Sequence, residues 1–135
     1  MNKSDVLGLL RIAFGWTFFY AGLSKIMNPA WTASGFLSGA KTFPAFYHWF
    51  ALPANIGWVN QLNEYGLAIL GLSLILGIGV RWSAVAGILL MFLYYFAQLA
   101  FPYAGTSAYI VDDHIIYILL FVYYWAGGDQ GSWRA

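Results

Sequence analysis

Charged residues and cysteine are what this sequence lacks most. It has six Lys and Arg and five Asp and Glu residues, so charged residues make up 8% of the chain, against about 25% in a typical soluble domain. Because so few charges cannot cover a globule in water, we expect lipid to solvate much of its surface. The absence of cysteine excludes disulfide exchange by the chain's own thiols and any thiolate metal site. The net charge of +1 and the lack of a basic run give no indication of nucleic-acid binding.

Long apolar segments take up most of the chain. Hydrophobic residues make up 61% of the sequence, and the mean hydropathy is +0.68. Four segments reach the length of about 20 apolar residues that a membrane-spanning helix needs; they cover residues 6–27, 62–80, 82–101 and 108–126. Continuous runs of this kind differ from the alternating pattern of barrel strands. The sequence therefore predicts an all-α integral membrane protein, a four-helix bundle forming a single domain over residues 1–135. The first segment is predicted to be a span, because it is longer than a typical signal core.

The predicted spans have very different connections. Residues 79–82 form a tight turn that makes spans two and three antiparallel neighbours, and residues 102–107 form a short polar loop. Residues 28–61 are longer, and four aromatic residues there lie on one helical face: Phe43, Phe46, Tyr47 and Phe50. We predict a short interfacial helix over about Phe43 to Ala51, capped by Thr42. A loose aromatic loop is the alternative.

Lysine and arginine predict the orientation in the membrane. Four of them belong to one side, Lys3, Arg11, Arg81 and Arg134, whereas Lys25 and Lys41 belong to the other. By the positive-inside rule the first side is cytoplasmic, so both termini are expected in the cytoplasm. Arg11, one to two turns into span one, could reach the cytoplasmic headgroups.

The scarce polar residues are predicted to meet at the outer end of the bundle. With four alternating spans, the end of one, the start of two, the end of three and the start of four lie on the same side. The residues placed there form the candidate polar or ligand site: Lys25, Glu64, Gln98, Asp112, Asp113 and His114. Ionisable groups near hydrocarbon usually turn inward, paired or toward water, and Glu64 or an aspartate is the expected partner of Lys25.

A purely structural role for these residues has equal weight. Carboxylates in the first turns of a helix stabilise its positive end, and Lys25 can extend to the headgroups. The sequence indicates no catalytic residue and no metal site.

Two further patterns concern packing and a possible ring ligand. Arg11, Gly15, Phe18, Gly22 and Lys25 share one face of span one, where the glycines would allow another helix to approach closely. The glycines of span two, Gly66, Gly71, Gly77 and Gly79, are interpreted in the same way. Dense tyrosines in spans three and four either line a pocket for a flat ring such as a quinone or are core and lipid-facing aromatics, which is the commoner case. No cofactor motif is evident.

Several segments resemble the DoxX/DoxD-like family of membrane proteins. They are residues 10–15 (LRIAFG), 19–25 (FYAGLSK), 31–37 (WTASGFL), 63–66 (NEYG) and 111–117 (VDDHIIY). The resemblance implies a four-helix bundle in a prokaryotic-type cytoplasmic (inner) membrane. Relatives include the small subunit of thiosulfate:quinone oxidoreductase and membrane partners in thiol-redox systems. Because those thiol-linked relatives use cysteines, the absence of cysteine here argues against direct thiol chemistry.

The sequence is compatible with three functions. The first is a small subunit of a quinone-linked redox complex in the membrane, with Glu64, Asp113 and His114 suited to proton exchange. The second is an accessory or scaffold subunit of a larger respiratory or photosynthetic assembly, without chemistry of its own. The third is a small-molecule transporter, which four short spans could form only as an oligomer.

Overall fold

Helices make up the regular structure in a computed structural model that describes residues 1–98, 101 and 109–134. In these ranges there are six helices and no β-strand: α1 Lys3–Ile26, α2 Ser34–Ser38, α3 Pro44–Phe50, α4 Ile56–Leu76, α5 Val80–Gln98 and α6 Asp113–Trp125. The all-α prediction is confirmed. Three predicted features lie outside the described residues: the loop at residues 102–107, the last residues of span three before Phe101, and the start of span four.

The ends of the long helices follow local sequence signals. Asn2 and Asp5 form a capping box at the start of α1, and Asp112 caps α6 by accepting bonds from the backbone N–H groups of His114 and Ile115. Helix α4 ends at Gly77, whose φ of 71° closes it in the left-handed conformation. Within the described residues, α1 and α5 are long and apolar enough to cross a membrane, and α6 is a shorter apolar helix of 13 residues.

Helices α1 and α4 pack tightly in antiparallel directions. A Cβ built on Gly15 would lie 2.7 Å from the Gly71 carbonyl oxygen, and one on Gly22 would lie 2.4 Å from the Ala68 nitrogen. These contacts pair the start of α1 with the end of α4. The predicted glycine face of span one is confirmed, because Gly15, Phe18 and Gly22 are all buried.

A three-residue connection, 77–79, turns the chain from α4 into α5, slightly earlier than the predicted turn at 79–82. The Ser83 hydroxyl bonds the Ser73 hydroxyl at 2.7 Å across this antiparallel pair. The packing role predicted for the glycines of span two holds for Gly71 but is wrong for Gly66 and Gly79. A Cβ at either of these would meet nothing within 4 Å, since Gly66 lies away from α1 and Gly79 serves the turn with a φ of 62°.

Helix α6 closes the core against both α1 and α5. The Phe121 ring is fully buried and fills the space where Gly87 has no side chain. It also lies 4.8 Å from the Phe14 ring, while Phe18 and Tyr117 are 5.5 Å apart. These contacts place the start of α6 beside the end of α1, so these two helices are also antiparallel.

The long segment between α1 and α4 contains two short helices instead of the one predicted. The predicted helix is present as α3, but α2 was not foreseen. Thr42 does not cap α3, because Phe43 takes the N-cap position with a φ of 50° and no side chain bonds the helix start. The Thr42 hydroxyl instead accepts a bond from the Phe101 backbone N–H at 3.0 Å.

Helix α3 is attached to α5 through Tyr47. This buried residue donates its hydroxyl hydrogen to the Leu93 carbonyl oxygen at 2.6 Å. Burial raises the pKa of Tyr47 to about 12, so the hydroxyl remains a donor at neutral pH. The segment is therefore fixed to the helices rather than loosely draped over them.

The expectation that Arg11 reaches the headgroups is wrong. Its side chain is fully buried, and the guanidinium donates to four backbone carbonyls: Leu74 at 2.8 Å, Gln130 at 2.6 Å, Ser132 at 3.1 Å and Trp133 at 2.7 Å. The C-terminal segment 129–134 thus folds back over the start of α1. Ser132 completes this contact through the Ser4 hydroxyl at 2.8 Å, so the two ends of the described chain lie together.

Candidate functional site

A cavity of about 240 Å³, here called the polar cavity, lies where the end of α1, the first half of α4 and the end of α5 meet. Lys25 and Gln98, two of the six predicted site residues, line it. Its remaining walls come from the segment before and within α2 and from two polar residues of α4 and α5: Trp31, Thr32, Ala33, Phe36, Asn63 and Tyr94. The structure therefore joins three of the four predicted helix ends around one space.

Lys25 is the cation of the polar cavity. Its ammonium group donates to the Ala21 carbonyl oxygen at 3.4 Å and lies 5.3 Å from the centre of the Trp31 ring, a distance at which the ring face attracts a cation. An ammonium group has three N–H donors, so Lys25 can still donate to a bound molecule.

The expected pairing of Lys25 with an acid is not formed. Across the described ranges, the one contact at salt-bridge distance joins Asp112 to His114, which is charged only when protonated. Glu64 follows Asn63 on α4, and successive helical residues point about 100° apart. Asn63 lines the cavity, whereas Glu64 is not among its wall residues and turns to another side of α4. The backbone oxygen of Glu64 packs against Gly22.

Asn63 and Tyr94 form the polar link between α4 and α5. The Tyr94 hydroxyl donates to the Asn63 side-chain oxygen, and the Asn63 amide nitrogen donates to the Val59 carbonyl oxygen at 2.8 Å. Asn63 is nearly buried, at 9% exposure. Both side chains are thus held in place by partners within the protein before any ligand binds.

Asp112, Asp113 and His114 lie at the start of α6, beside this link rather than in the cavity wall. The Asp112 carboxylate bonds the His114 ring nitrogen Nδ1 at 3.0 Å while also capping the helix. The His114 ring meets the Tyr94 ring edge-on, 6.4 Å between centres. Asp113 is exposed. The cap geometry gives Asp112 a structural role, and His114 approaches the polar cavity only through Tyr94.

A second, apolar cavity of about 70 Å³ adjoins the polar cavity. The two share four wall residues: Ala33, Phe36, Asn63 and Tyr94. The other walls of the apolar cavity come from α2, α3, α4 and α5, among them Leu37, Tyr47, Val59, Leu90, Leu93 and Ala97. Helices α2 and α3 thus form part of the site.

The combined space suits an amphiphilic molecule with hydrogen-bond acceptors at one end. Among the described residues, the polar cavity has one cation, Lys25, and no Asp or Glu in its wall. Gln98 adds an exposed amide with two further N–H donors. Ligand pockets are typically apolar with a few placed polar groups, which is the pattern found here.

Sequence reasoning missed the participation of Asn63. The available signal was an amide side chain in an apolar span, next to the acid that was chosen instead. The sequence marks Tyr94 only as one of the dense tyrosines of spans three and four. Their shared contact with Lys25 and Gln98 depends on helix packing that spacing along one helix does not reveal.

A family model described as DoxX matches residues 6–100 of the 135-residue chain. No curated protein and no solved structure matches the chain.

Proposed function

The chain belongs to the DoxX family of membrane proteins, and from that membership we propose that it is a small membrane subunit that holds a quinone for a redox complex. The observation that carries this proposal is the polar cavity, where Lys25 and Gln98 offer N–H donors beside the aromatic walls of Trp31 and Tyr94. Quinone rings are flat and have two carbonyl oxygens that accept hydrogen bonds. The residues present therefore fit such a ring.

The proposal includes four membrane crossings. Helices α1 and α5 meet the length and hydropathy expected of spans. Helix α4 has 21 residues, about 31 Å at 1.5 Å per residue, enough for the roughly 30 Å hydrocarbon core. Helix α6 is shorter, but it packs along both α1 and α5 through Phe121. The antiparallel contacts support four alternating spans in a bundle.

We place both termini on the cytoplasmic side of a prokaryotic inner membrane. The contact between Ser4 and Ser132 puts the two ends of the described chain together, which supports an even number of crossings. Lys3, Arg81 and Arg134 lie near that end and are exposed, as the positive-inside rule requires of cytoplasmic anchors. The polar cavity then lies near the outer surface.

The electron donor in this proposal is a partner subunit. The chain has no cysteine, so its own thiols cannot pass electrons to a quinone. Holding the ring in a fixed place would let a larger membrane complex use it repeatedly. His114 lies beside Tyr94 of the cavity wall and is the candidate for exchanging protons with the outer surface.

Native purification tests the proposal. Protein isolated from its own membranes should release quinone on solvent extraction, and the Lys25→Met variant should release much less because the ring loses its charged donor. Lys41→Met is the matched control, since Lys41 is exposed and outside the cavity wall. Thermal unfolding of each variant shows whether the fold is retained.

Two results would count against a quinone subunit. Wild-type protein free of quinone, from membranes without quinone-dependent activity that needs this chain, would remove the proposal. Co-purification with a large assembly but without quinone would instead favour the accessory or scaffold role.

A further inference from the structure

We infer that the site is divided, with the quinone ring in the polar cavity and the first part of its apolar tail in the apolar cavity beneath α2 and α3. This inference rests on the proposed function and specifies which quinones the site takes. Ala33 and Phe36 are walls of both cavities, so a ring bound to Lys25 and Gln98 lies next to the apolar cavity. The tail would leave the ring on the side of these shared walls.

The walls of the apolar cavity offer an occupant few free polar groups. Tyr47 gives its hydroxyl hydrogen to Leu93, and Tyr94 gives its own to Asn63. The Asn63 amide gives one of its two N–H hydrogens to Val59. A cavity lined mainly by apolar side chains, with most of its polar hydrogens already donated, favours apolar molecules.

The size of the space agrees with a ring and a short length of chain. The cavities measure about 240 and 70 Å³, and together they reach the lower end of the roughly 300–1,000 Å³ found for ligand pockets. The smaller one cannot hold a second ring. It can hold a narrow chain continuous with the ring next door.

Binding of two probes to the purified chain in lipid nanodiscs tests the inference. One probe is a benzoquinone with a two-isoprene tail, and the other is the same ring with a methyl group in its place. Quenching of tryptophan fluorescence reports binding, because Trp31 lines the polar cavity. Amounts are expressed per lipid, so that partition of the tail into the bilayer is taken into account.

Filling the apolar cavity should weaken the binding of the tailed probe alone. For Ala97→Leu we expect the affinity for the tailed probe to fall about tenfold, the ratio that corresponds to about 1.4 kcal/mol. The affinity for the methyl probe should not change. Leu37→Phe, on α2 rather than α5, should act in the same way and serves if Ala97→Leu does not fold. Ala86→Leu is the control for Ala97→Leu, because Ala86 is an exposed position on α5, the helix that carries Ala97. Lys25→Met should weaken both probes.

The possible results separate this inference from the proposed function. If wild-type protein binds neither probe, the proposed function fails and this inference fails with it. A second outcome is that both probes bind to wild type while the cavity-filling variants lower the affinity for both of them or for neither. In that case the inference of a divided site is wrong, whereas quinone binding stands.

Discussion

Replacing Arg11 with methionine should release the C-terminal segment and destabilise the protein. Methionine fills a similar apolar volume without any donor, so the carbonyls of Leu74, Gln130, Ser132 and Trp133 lose their shared partner. Hydrogen bonds to charged groups contribute about 1.5–3 kcal/mol each. Their sum is not the expected loss, because the variant also avoids the cost of burying a charge.

The net change in the free energy of unfolding depends on whether each carbonyl finds a new partner once Arg11 is replaced. Those of the C-terminal segment can reach water once the segment detaches, whereas the Leu74 oxygen remains in the core at the end of α4. One orphaned buried carbonyl costs about 1–3 kcal/mol. We therefore expect a loss of about 1–3 kcal/mol in the free energy of unfolding. Arg11→Lys should lie between wild type and methionine, since lysine keeps the charge but lacks the planar fork.

A disulfide cross-link measures the release directly. The hydroxyls of Ser4 and Ser132 are 2.8 Å apart, and the natural chain has no cysteine to interfere. The pair Ser4→Cys with Ser132→Cys should cross-link readily with Arg11 present and poorly with Arg11→Met. Arg81→Met is the control, because Arg81 is exposed. Equal cross-linking and equal thermal stability with and without Arg11 would refute the role assigned to it.

Three other changes test the packing and capping. Gly71→Ala should destabilise the protein strongly, because its Cβ would lie 2.2 Å from a backbone nitrogen of α1. Gly66→Ala, on the same helix with nothing within 4 Å of its Cβ, should stabilise the protein by about 0.5–1 kcal/mol through helix propensity. Thermal unfolding distinguishes the two variants, and equal effects would contradict the close approach of α1 and α4. Asp112→Ala should cost about 1 kcal/mol as a lost N-cap, and Asp112→Asn should restore most of it, so an Asn variant as unstable as the Ala variant would argue for a role beyond capping. Tyr47→Phe should lower the free energy of unfolding by about 1 kcal/mol through the lost bond to Leu93. Because the raised pKa of Tyr47 favours the folded state below pH 10, the stability difference between wild type and variant should shrink as pH rises from about 10 to about 12. A stability difference that does not change over that pH range would contradict the bond.

Much of the helical framework could be predicted from local signals. Runs of apolar residues marked the long helices, and the glycine face of α1 predicted its close packing with α4, now visible at Gly15 and Gly71. Helix α4 begins at Ile56, earlier than predicted, because polar residues such as Asn60 and Gln61 lower the hydropathy of its first turns. Helix α2 has five residues, which is too short for a periodic pattern.

The role of Arg11 could not be predicted from the sequence, because its acceptors are backbone carbonyls. Every residue carries a carbonyl, so nothing in the identities of residues 130–133 marks them as partners of a residue about 120 positions earlier. The interpretation as a headgroup anchor followed from composition alone. The folded-back segment explains why a charge is stable about two turns inside α1.

The candidate site was predicted by region and only partly by residue. The sequence places Lys25 and Gln98 at the same end of the bundle, and both line the polar cavity. The same reasoning chose Glu64 over Asn63 because it favoured charge, but the rotation of successive helical residues decides which side chain faces the cavity. That rotation depends on how α4 packs against α1, which becomes evident only in three dimensions.

Labelling of single cysteines in intact cells tests most directly whether the chain crosses the membrane four times and gathers its polar cavity near the outer surface. Suitable exposed positions after successive helices are Asn28, Ile78, Asp113 and Asp129, each replaced by cysteine in a chain that has none. Four crossings predict that an impermeant maleimide labels positions 28 and 113 in intact cells, and positions 78 and 129 only after permeabilisation. Labelling of positions 28 and 78, or of 78 and 113, from the same side would contradict it.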